Sequence, residues 1–204
     1  MPFDLDKSVA ACERQNHLGM VKIIEDVDRY RTIFDRVKPD LIIECGTFSG
    51  MSALWFADAS GARVITIDTA DQVSDETKSS WNGRVRQVIA SSTSLEAREA
   101  VLSAVTELPG ASVMLVLDSD HSGPHVAAEM SLYARFVTPG SYMVVEDGIL
   151  RYLPTEERAF YDGDPLDAIR DWFNSELSTD WVTDREIEDM HVVTLHINGW
   201  LRKT

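Results

Sequence analysis

Basic residues are scarce in this chain. Lys and Arg number 19 against 34 Asp and Glu in 204 residues, a formal net charge of −15. Nucleic-acid binding depends largely on Lys and Arg neutralising phosphates, so that class of partner is excluded. Long apolar runs are missing too. None reaches the roughly 18 residues of a spanning helix, and the first residues lack a signal-peptide h-region, so no membrane association and a cytoplasmic location are expected. Cysteine is confined to Cys12 and Cys45. Two cysteines make no disulfide framework, which suits a reducing compartment, and Cys45 reads as a small buried residue. With no repeat or low-complexity tract, the 44% hydrophobic content suffices for the core of one domain of ordinary size.

The organising stretch is Leu41-Ile42-Ile43-Glu44-Cys45-Gly46-Thr47-Phe48-Ser49-Gly50, running into Ser52-Ala53-Leu54-Trp55-Phe56-Ala57. A short apolar run breaks at a glycine-bearing turn and yields to a helical pattern, as a strand feeds a helix in an α/β nucleotide-binding unit. Gly46 permits the tight turn, and Gly50 lets the helix start pack close to ligand and sheet. The dinucleotide fingerprint G-x-G-x-x-G is not met, because Phe48 and Met51 stand where it needs glycine. A pyrophosphate prefers amides and a helix N-terminus without a carboxylate beside it. A ligand carrying an amino group and a sulfonium tolerates Glu44 well, which favours S-adenosylmethionine over NAD.

Around this stretch strands and helices alternate. An amphipathic helix carrying Val27, Tyr30, Phe34 and Val37 begins near Val21 and stops near Pro39, after a polar arm over 1–18. Apolar strands follow at 63–68, 85–89, 113–117 and 142–145, with helices between them near 70–81, 95–106 and from Pro124. A loop over 148–164, a helix with Leu166, Ile169, Trp172 and Phe173, and two strands near 181–182 and 191–197 complete the reading. Strands apolar throughout indicate a parallel sheet covered on both faces, an α/β fold. Residues 1–40 form an N-terminal arm and helix, and 41–204 the ligand-binding domain.

Acids gather at the C-terminal strand ends, where open α/β sheets bind ligands. Asp68 closes the second strand and suits two ribose hydroxyls of an adenosine. Ser91 and Ser92 after the third strand either line the adenine or cap the next helix. Asp118 and Asp120 follow the fourth strand, and Glu146 and Asp147 follow the fifth, 28 residues from Asp118 to Glu146. Carboxylates this close repel by about 4 kcal/mol per pair at 4 Å and an effective dielectric near 20. A divalent ion, a proton, or Lys and Arg must compensate, and few of the last stand nearby in sequence. Oxygen-only ligands suit Mg²⁺. A bound ion lowers the pKa of a substrate hydroxyl and aims its oxygen at the sulfonium methyl. Asp120 and His121 are the nearest general bases, His125 reads as a cap for its helix, and Lys22 is a remote base candidate.

Lys38-Pro39-Asp40-Leu41-Ile42-Ile43-Glu44-x-Gly46-Thr47, Gly50-x-Ser52-Ala53-Leu54, Leu117-Asp118-Ser119-Asp120-His121 and Pro139-Gly140-Ser141-Tyr142-x-Val144-Val145-Glu146-Asp147 together resemble the cephalosporin hydroxylase family. So does the tail, with Asp184-Arg185-Glu186 and Asn198-Gly199-Trp200-Leu201-Arg202. Met51 departs from it, where the family usually has a second glycine. The family resembles class I S-adenosylmethionine methyltransferases with a divalent-metal site, among them sugar O-methyltransferases of antibiotic biosynthesis. The resemblance implies a Rossmann-like, seven-stranded, mostly parallel sheet with a reversed last strand. It implies cofactor contacts from Glu44, Gly46, Thr47, Phe48, Ser52, Asp68, Ser91, Ser92 and Asp118. Metal ligands are implied at Glu146 and Asp147 with either Asp118 or Asp120.

The reading is therefore an S-adenosylmethionine- and Mg²⁺-dependent O-methyltransferase of a small hydroxylated molecule, a sugar or secondary metabolite. Its loop with Arg151, Tyr152, Glu156, Glu157, Arg158, Phe160 and Tyr161 shapes the acceptor pocket. The arm and first helix offer a surface for a homo-oligomer. The alternative is a non-catalytic partner that keeps the fold.

Overall fold

Strand β1 (Leu41–Cys45) is buried at every position and lies between β2 (Arg63–Asp68) and β4 (Val113–Leu117), parallel to both. Its side chains alternate between two cores, the reason an unbroken apolar run is needed here. Leu41, Ile43 and Cys45 join one apolar cluster, whereas Ile42 joins the other. The computed structural model describes residues 4–11, 20, 22–159 and 161–204, the side chains at 157 and 158 excepted. Cys12, Val21, Phe160, most of the arm, and the Glu157 and Arg158 side chains lie outside the described residues.

With β3 (Val85–Ile89), β5 (Tyr142–Val145), β6 (Trp181–Thr183) and β7 (Trp200–Lys203), the sheet has seven strands in the order β3-β2-β1-β4-β5-β7-β6. Strands β1 to β5 run parallel, and β7 enters antiparallel between β5 and β6. The strand order reverses between β1 and β4, the switch point at which such sheets open a crevice.

Helices α1 (Leu5–Ala11), α2 (Ile24–Val37), α3 (Met51–Ser60), α4 (Asp75–Ser80), α5 (Leu95–Thr106) and α6 (Gly123–Tyr133) alternate with the strands. The short turn α7 (Thr155–Arg158), then α8 (Pro165–Phe173) and α9 (Arg185–Glu188), follow. Local chemistry sets their ends. Helix α2 closes on Lys38 in the left-handed region, one residue before Pro39. Ser94 caps α5 by accepting from Ala97 N at 3.1 Å, and Asp164 caps α8 through Leu166 N at 2.9 Å. The apolar face of α2 is spent within the chain: Val27, Tyr30 and Ile33 are fully buried, the last two in the cluster under Ile42. It therefore offers no apolar face to a second subunit, contrary to the sequence expectation.

Two further expectations change. The segment 191–197 is not a strand; the last strand is β7. Residues 193–197 are all buried, Thr194 and His196 included, and it is the alternation of apolar residue types at Val193, Leu195 and Ile197 that imitates a strand. Side chains take up the backbone groups instead, as Leu195 N donates to Asp26 Oδ2 at 2.9 Å while Arg29 donates to the Val193 and His191 carbonyls. The loop 148–164 carries a 3₁₀ segment over Gly148–Tyr152 besides α7, and Arg151 ties it to Asp164 and Asp167. Among the described residues, no helix is long and apolar enough to cross a membrane.

Candidate active site

A cleft of about 710 Å³ opens at the C-terminal edge of β1, β2, β3 and β4. Gly46, with φ +99°, turns the chain away from β1. A Cβ there would stand 1.8 Å from the Asp118 carbonyl oxygen, so only glycine fits between these strand ends. Gly50 has a different role from the expected one: its neighbours are the Trp81 and Val73 side chains. Asp68 Oδ2 accepts from the amides of Thr47 and Phe48, both at 2.9 Å, and so shapes the glycine turn. Its Oδ1 accepts from Ala70 N at 3.2 Å and retains acceptor capacity towards the cleft. Phe48 is 58% exposed and lines the cleft with Thr47, Ser52, Ser91 and Ser92. The next helix is capped by Ser94, which leaves Ser91 and Ser92 for the cleft wall.

Glu44 lies behind that wall and is fully buried. Among the described residues neither of its oxygens has a hydrogen-bond partner. Burial pushes its carboxyl up to about 7, and the Ser52 and Thr66 hydroxyls offset only part of that rise. An orphaned carboxylate behind Gly46 and Ser52 fits a cationic group entering from the cleft.

At the acid end the compensating charge is Lys22. Its Nζ donates to Glu146 Oε2 and Oε1 at 2.6 and 2.7 Å and to Asp118 Oδ2 at 3.0 Å. Burial alone depresses the ammonium, but Asp118 and Glu146 outweigh it and the net shift is upward. Burial likewise works to raise Glu146, yet Lys22 holds its carboxyl below the ordinary value. Tyr30 adds a hydrogen bond of 2.5 Å to Glu146 Oε1. Asp147 has a left-handed backbone, φ +57°, and its N–H donates to His196 Nδ1 at 3.1 Å. That bond places the His196 proton on Nε2, 3.5 Å from Glu146 Oε2.

Of the four acids read from the sequence, the structure brings Asp118, Glu146 and Asp147 to one place. Asp120 is exposed on the cleft wall, with Oδ1 accepting from Ser122 N at 2.9 Å. His121 Nε2 lies 3.4 Å from Asp147 Oδ2, and its ring meets that of Tyr161. His125 does not cap its helix; its Nε2 stands 3.0 Å from Ser92 Oγ and 3.3 Å from Glu129 Oε1, on the cleft wall. Lys22, as a fixed cation, with Tyr30 and His196, are the residues that sequence spacing missed. Lys22 and Asp118 are 96 positions apart, and His196 lies in the segment with a false strand pattern. Lys22 and Tyr30 also carry the site across the division expected at residue 40.

A parallel sheet reversed only at β7, a glycine turn after β1 and an acid closing β2 over one cleft define the class I S-adenosylmethionine-dependent methyltransferases. The model of the rhamnosyl O-methyltransferase/CmcI family matches residues 12–204. The chain belongs to that family and is an S-adenosylmethionine-dependent O-methyltransferase. The rhamnosyl O-methyltransferase of Mycobacterium bovis is 33% identical over 185 residues, covering 88% of this chain and 74% of that one. Among solved structures, CmcI with magnesium and S-adenosylmethionine shares the fold, with a TM-score of 0.61 at 15% identity, over 91% of this chain and 73% of CmcI. So does the O-methyltransferase TomG of Streptomyces achromogenes with S-adenosylmethionine, with a TM-score of 0.52 at 19% identity, over 87% of this chain and 79% of TomG.

Proposed function

We propose that the acceptor is a hydroxyl of a small molecule, a sugar or sugar-bearing secondary metabolite. The observation that carries this reading is one continuous cleft reaching from Asp68 and Ser91 to Asp118, His121 and Asp147. The first end suits the cofactor's adenosine, with Glu44 behind Gly46 for its amino group. The second end presents a carboxylate and an imidazole where an acceptor hydroxyl must meet the methyl. The mycobacterial relative is named for a rhamnosyl acceptor, which supports a sugar over a catechol.

In this reading His121 is the general base, oriented by Asp147. The acceptor oxygen forms a bond to the methyl carbon, the carbon–sulfur bond breaks, and sulfur leaves with the electron pair as S-adenosylhomocysteine. His121 takes the hydroxyl proton. In-line geometry and proximity supply most of the acceleration.

Magnesium accompanies the cofactor in CmcI. Of the ligands expected for Mg²⁺ or another divalent cation, Glu146 and Asp147 come together here with Asp118; these residues would hold such an ion, which when bound would lower the pKa of an acceptor hydroxyl. Glu146, 1% exposed, also bonds to Lys22 and Tyr30, and Asp120 stands on the cleft wall with Oδ1 accepting from Ser122 N. Among the described residues, two groups bring donor atoms within 4.8 Å of one another: Asp118 with His121 and Asp147, and Glu146 with Asp147 and His196. No step above is routed through an ion.

The test is turnover with S-adenosylmethionine and a panel of deoxysugars, glycosides and catechols, read by mass spectrometry. The reading expects methylated glycoside, with His121→Gln slower by about 10²–10⁴-fold, as for a lost general base. Full activity in His121→Gln, or transfer to catechols alone, contradicts it. The same reading includes a homo-oligomer in the cytoplasm. The free, buried Cys45 supports the compartment, and Leu95 and Leu102, 64% and 50% exposed on one face of α5, supply an apolar contact surface. Light scattering on the native chain and on Leu102→Glu tests the assembly.

A further inference from the structure

His125 stands on the cleft wall without a part in the transfer step described above. Its Nε2 is 3.0 Å from Ser92 Oγ and 3.3 Å from Glu129 Oε1. Glu129, fully buried one turn further along α6, also accepts from Ser119 Oγ at 2.6 Å. Tyr133, on the same helix, donates to the Ser92 carbonyl. Three residues of the cleft wall, Ser92 after β3, Ser119 after β4 and His125 on α6, are thus fixed to one another around a buried carboxylate. The second ring nitrogen differs. Among the described residues His125 Nδ1 has no hydrogen-bond partner, and it is not sealed from solvent.

A carboxylate beside Nε2 favours a proton there, and Glu129 holds the imidazole above its ordinary value of 6.5. The neutral ring then carries its lone pair on Nδ1, which is an acceptor. Adenine and hypoxanthine differ at one edge, where the first presents an exocyclic amino donor and the second a carbonyl acceptor. An acceptor in the wall takes the amino group and is opposed by the carbonyl, so the wrong base leaves polar atoms unpaired. We infer that His125 is a specificity-determining residue for the cofactor's base, with Nδ1 accepting from the adenine amino group while Glu129 holds Nε2. Glu129 is a positioning residue, acting through His125. The inference rests on the proposed placement of the adenosine at the Asp68 and Ser91 end of the cleft, to which Ser92 ties His125. It gives the base a reader on α6, apart from Asp68 at the ribose.

The experiment is calorimetric titration of the full chain with S-adenosylhomocysteine and with its deaminated counterpart, S-inosylhomocysteine. A pH of about 9 keeps the measurement above the ordinary imidazole value. Wild type should bind the adenosyl ligand at least about tenfold more tightly than the inosyl one. His125→Gln, which lacks an atom in place of Nδ1, should bring the two within about threefold. Glu129→Gln offers an N–H to Nε2, shifts the histidine proton to Nδ1 and should lower the ratio as well. A merely structural histidine would weaken both ligands alike and leave the ratio unchanged. Equal binding of the two ligands by wild type overturns the inference whether or not the variants fold. So does a folded His125→Gln with the wild-type ratio. If that variant does not fold, the ¹⁵N resonance of His125 Nδ1 in wild type decides. It should move on saturation with S-adenosylhomocysteine and not with S-inosylhomocysteine; an equal response to both overturns the inference. Asp68→Asn keeps the two readings apart. S-adenosylhomocysteine binding that this variant leaves untouched sinks the placement of the adenosine, whereas binding that it weakens, without discrimination between the bases in wild type, sinks only the role of His125.

Discussion

Glu44 is the residue on which the cofactor end turns, and its titration has a definite sign. The folded chain keeps the Glu44 proton up to about pH 7, whereas the ordinary value is 4.5. Between those values the folded state holds the extra proton, so its stability falls as pH rises, by about 3 kcal/mol in all. Glu44→Gln removes that loss, and its melting temperature at pH 8 should exceed that of the wild type by several degrees. On the proposed reading, in which Glu44 receives the cofactor's amino group, cofactor binding has the opposite slope, because that group needs the ionised carboxylate. S-adenosylhomocysteine should bind about tenfold more tightly at pH 8 than at pH 6, and Glu44→Gln should flatten that dependence. Calorimetry at the two pH values checks both statements; a flat wild-type profile contradicts them.

At the scale of elements, two glycines with similar backbone angles carry different weight. Gly46 and Gly61 both have positive φ, +99° and +77°. A Cβ on Gly61 meets nothing within 4 Å, so Gly61→Ala should cost only the backbone penalty, about 1 kcal/mol. A Cβ on Gly46 meets the Asp118 carbonyl, so Gly46→Ala should cost more than about 4 kcal/mol or abolish folding. Denaturant unfolding of both variants separates the two cases. Arg29 makes a similar point for the segment 187–196. Fully buried, it bonds to Asp26 Oδ1 at 2.9 Å and to four carbonyls of that segment, from Ile187, Glu188, His191 and Val193. Arg29→Met leaves Asp26 charged and those carbonyls unmet, at a cost of about 3–5 kcal/mol. Hydrogen exchange should quicken first over 187–196, which carries His196; uniform quickening across the sheet would contradict this picture.

These elements also show where sequence reasoning reached and where it stopped. Strands β1, β4 and β5 were legible because a parallel strand buried on both faces is a nearly continuous apolar run, while β2 and β3, nearer the sheet edge, were legible from shorter apolar stretches that include exposed Arg63 and Arg86. The glycine turn and Asp68 were legible because a turn with positive φ calls for glycine and an acid at the strand end lies where the sheet opens its cleft. The segment 191–197 was not, since a side-chain-clamped loop can also carry apolar residues at alternate positions while all of 193–197 is buried. Nor was Lys22 as a fixed cation. Its partners are an acid 96 positions away and another 124 away, a pairing that only the assembled sheet creates. The acid cluster pointed to a metal, and a lysine before α2 adds a cation that bonds to two of its carboxylates. His125 and Asp120 traded roles for a related reason: a cap depends on side-chain direction, which residue type alone does not set.

For the molecule as a whole, the family match over 12–204 and the seven-stranded sheet agree with a methyltransferase built on one cleft. The acids behind its net charge of −15 include the set lining that cleft, and an anionic cleft favours a cationic cofactor over a phosphate-bearing one. The most direct measurement is calorimetric titration of S-adenosylhomocysteine into the native chain at pH 8, with NADH as the control. The account predicts one site of micromolar affinity for S-adenosylhomocysteine and no heat with NADH. No binding of S-adenosylhomocysteine, or equal binding of NADH, would contradict it.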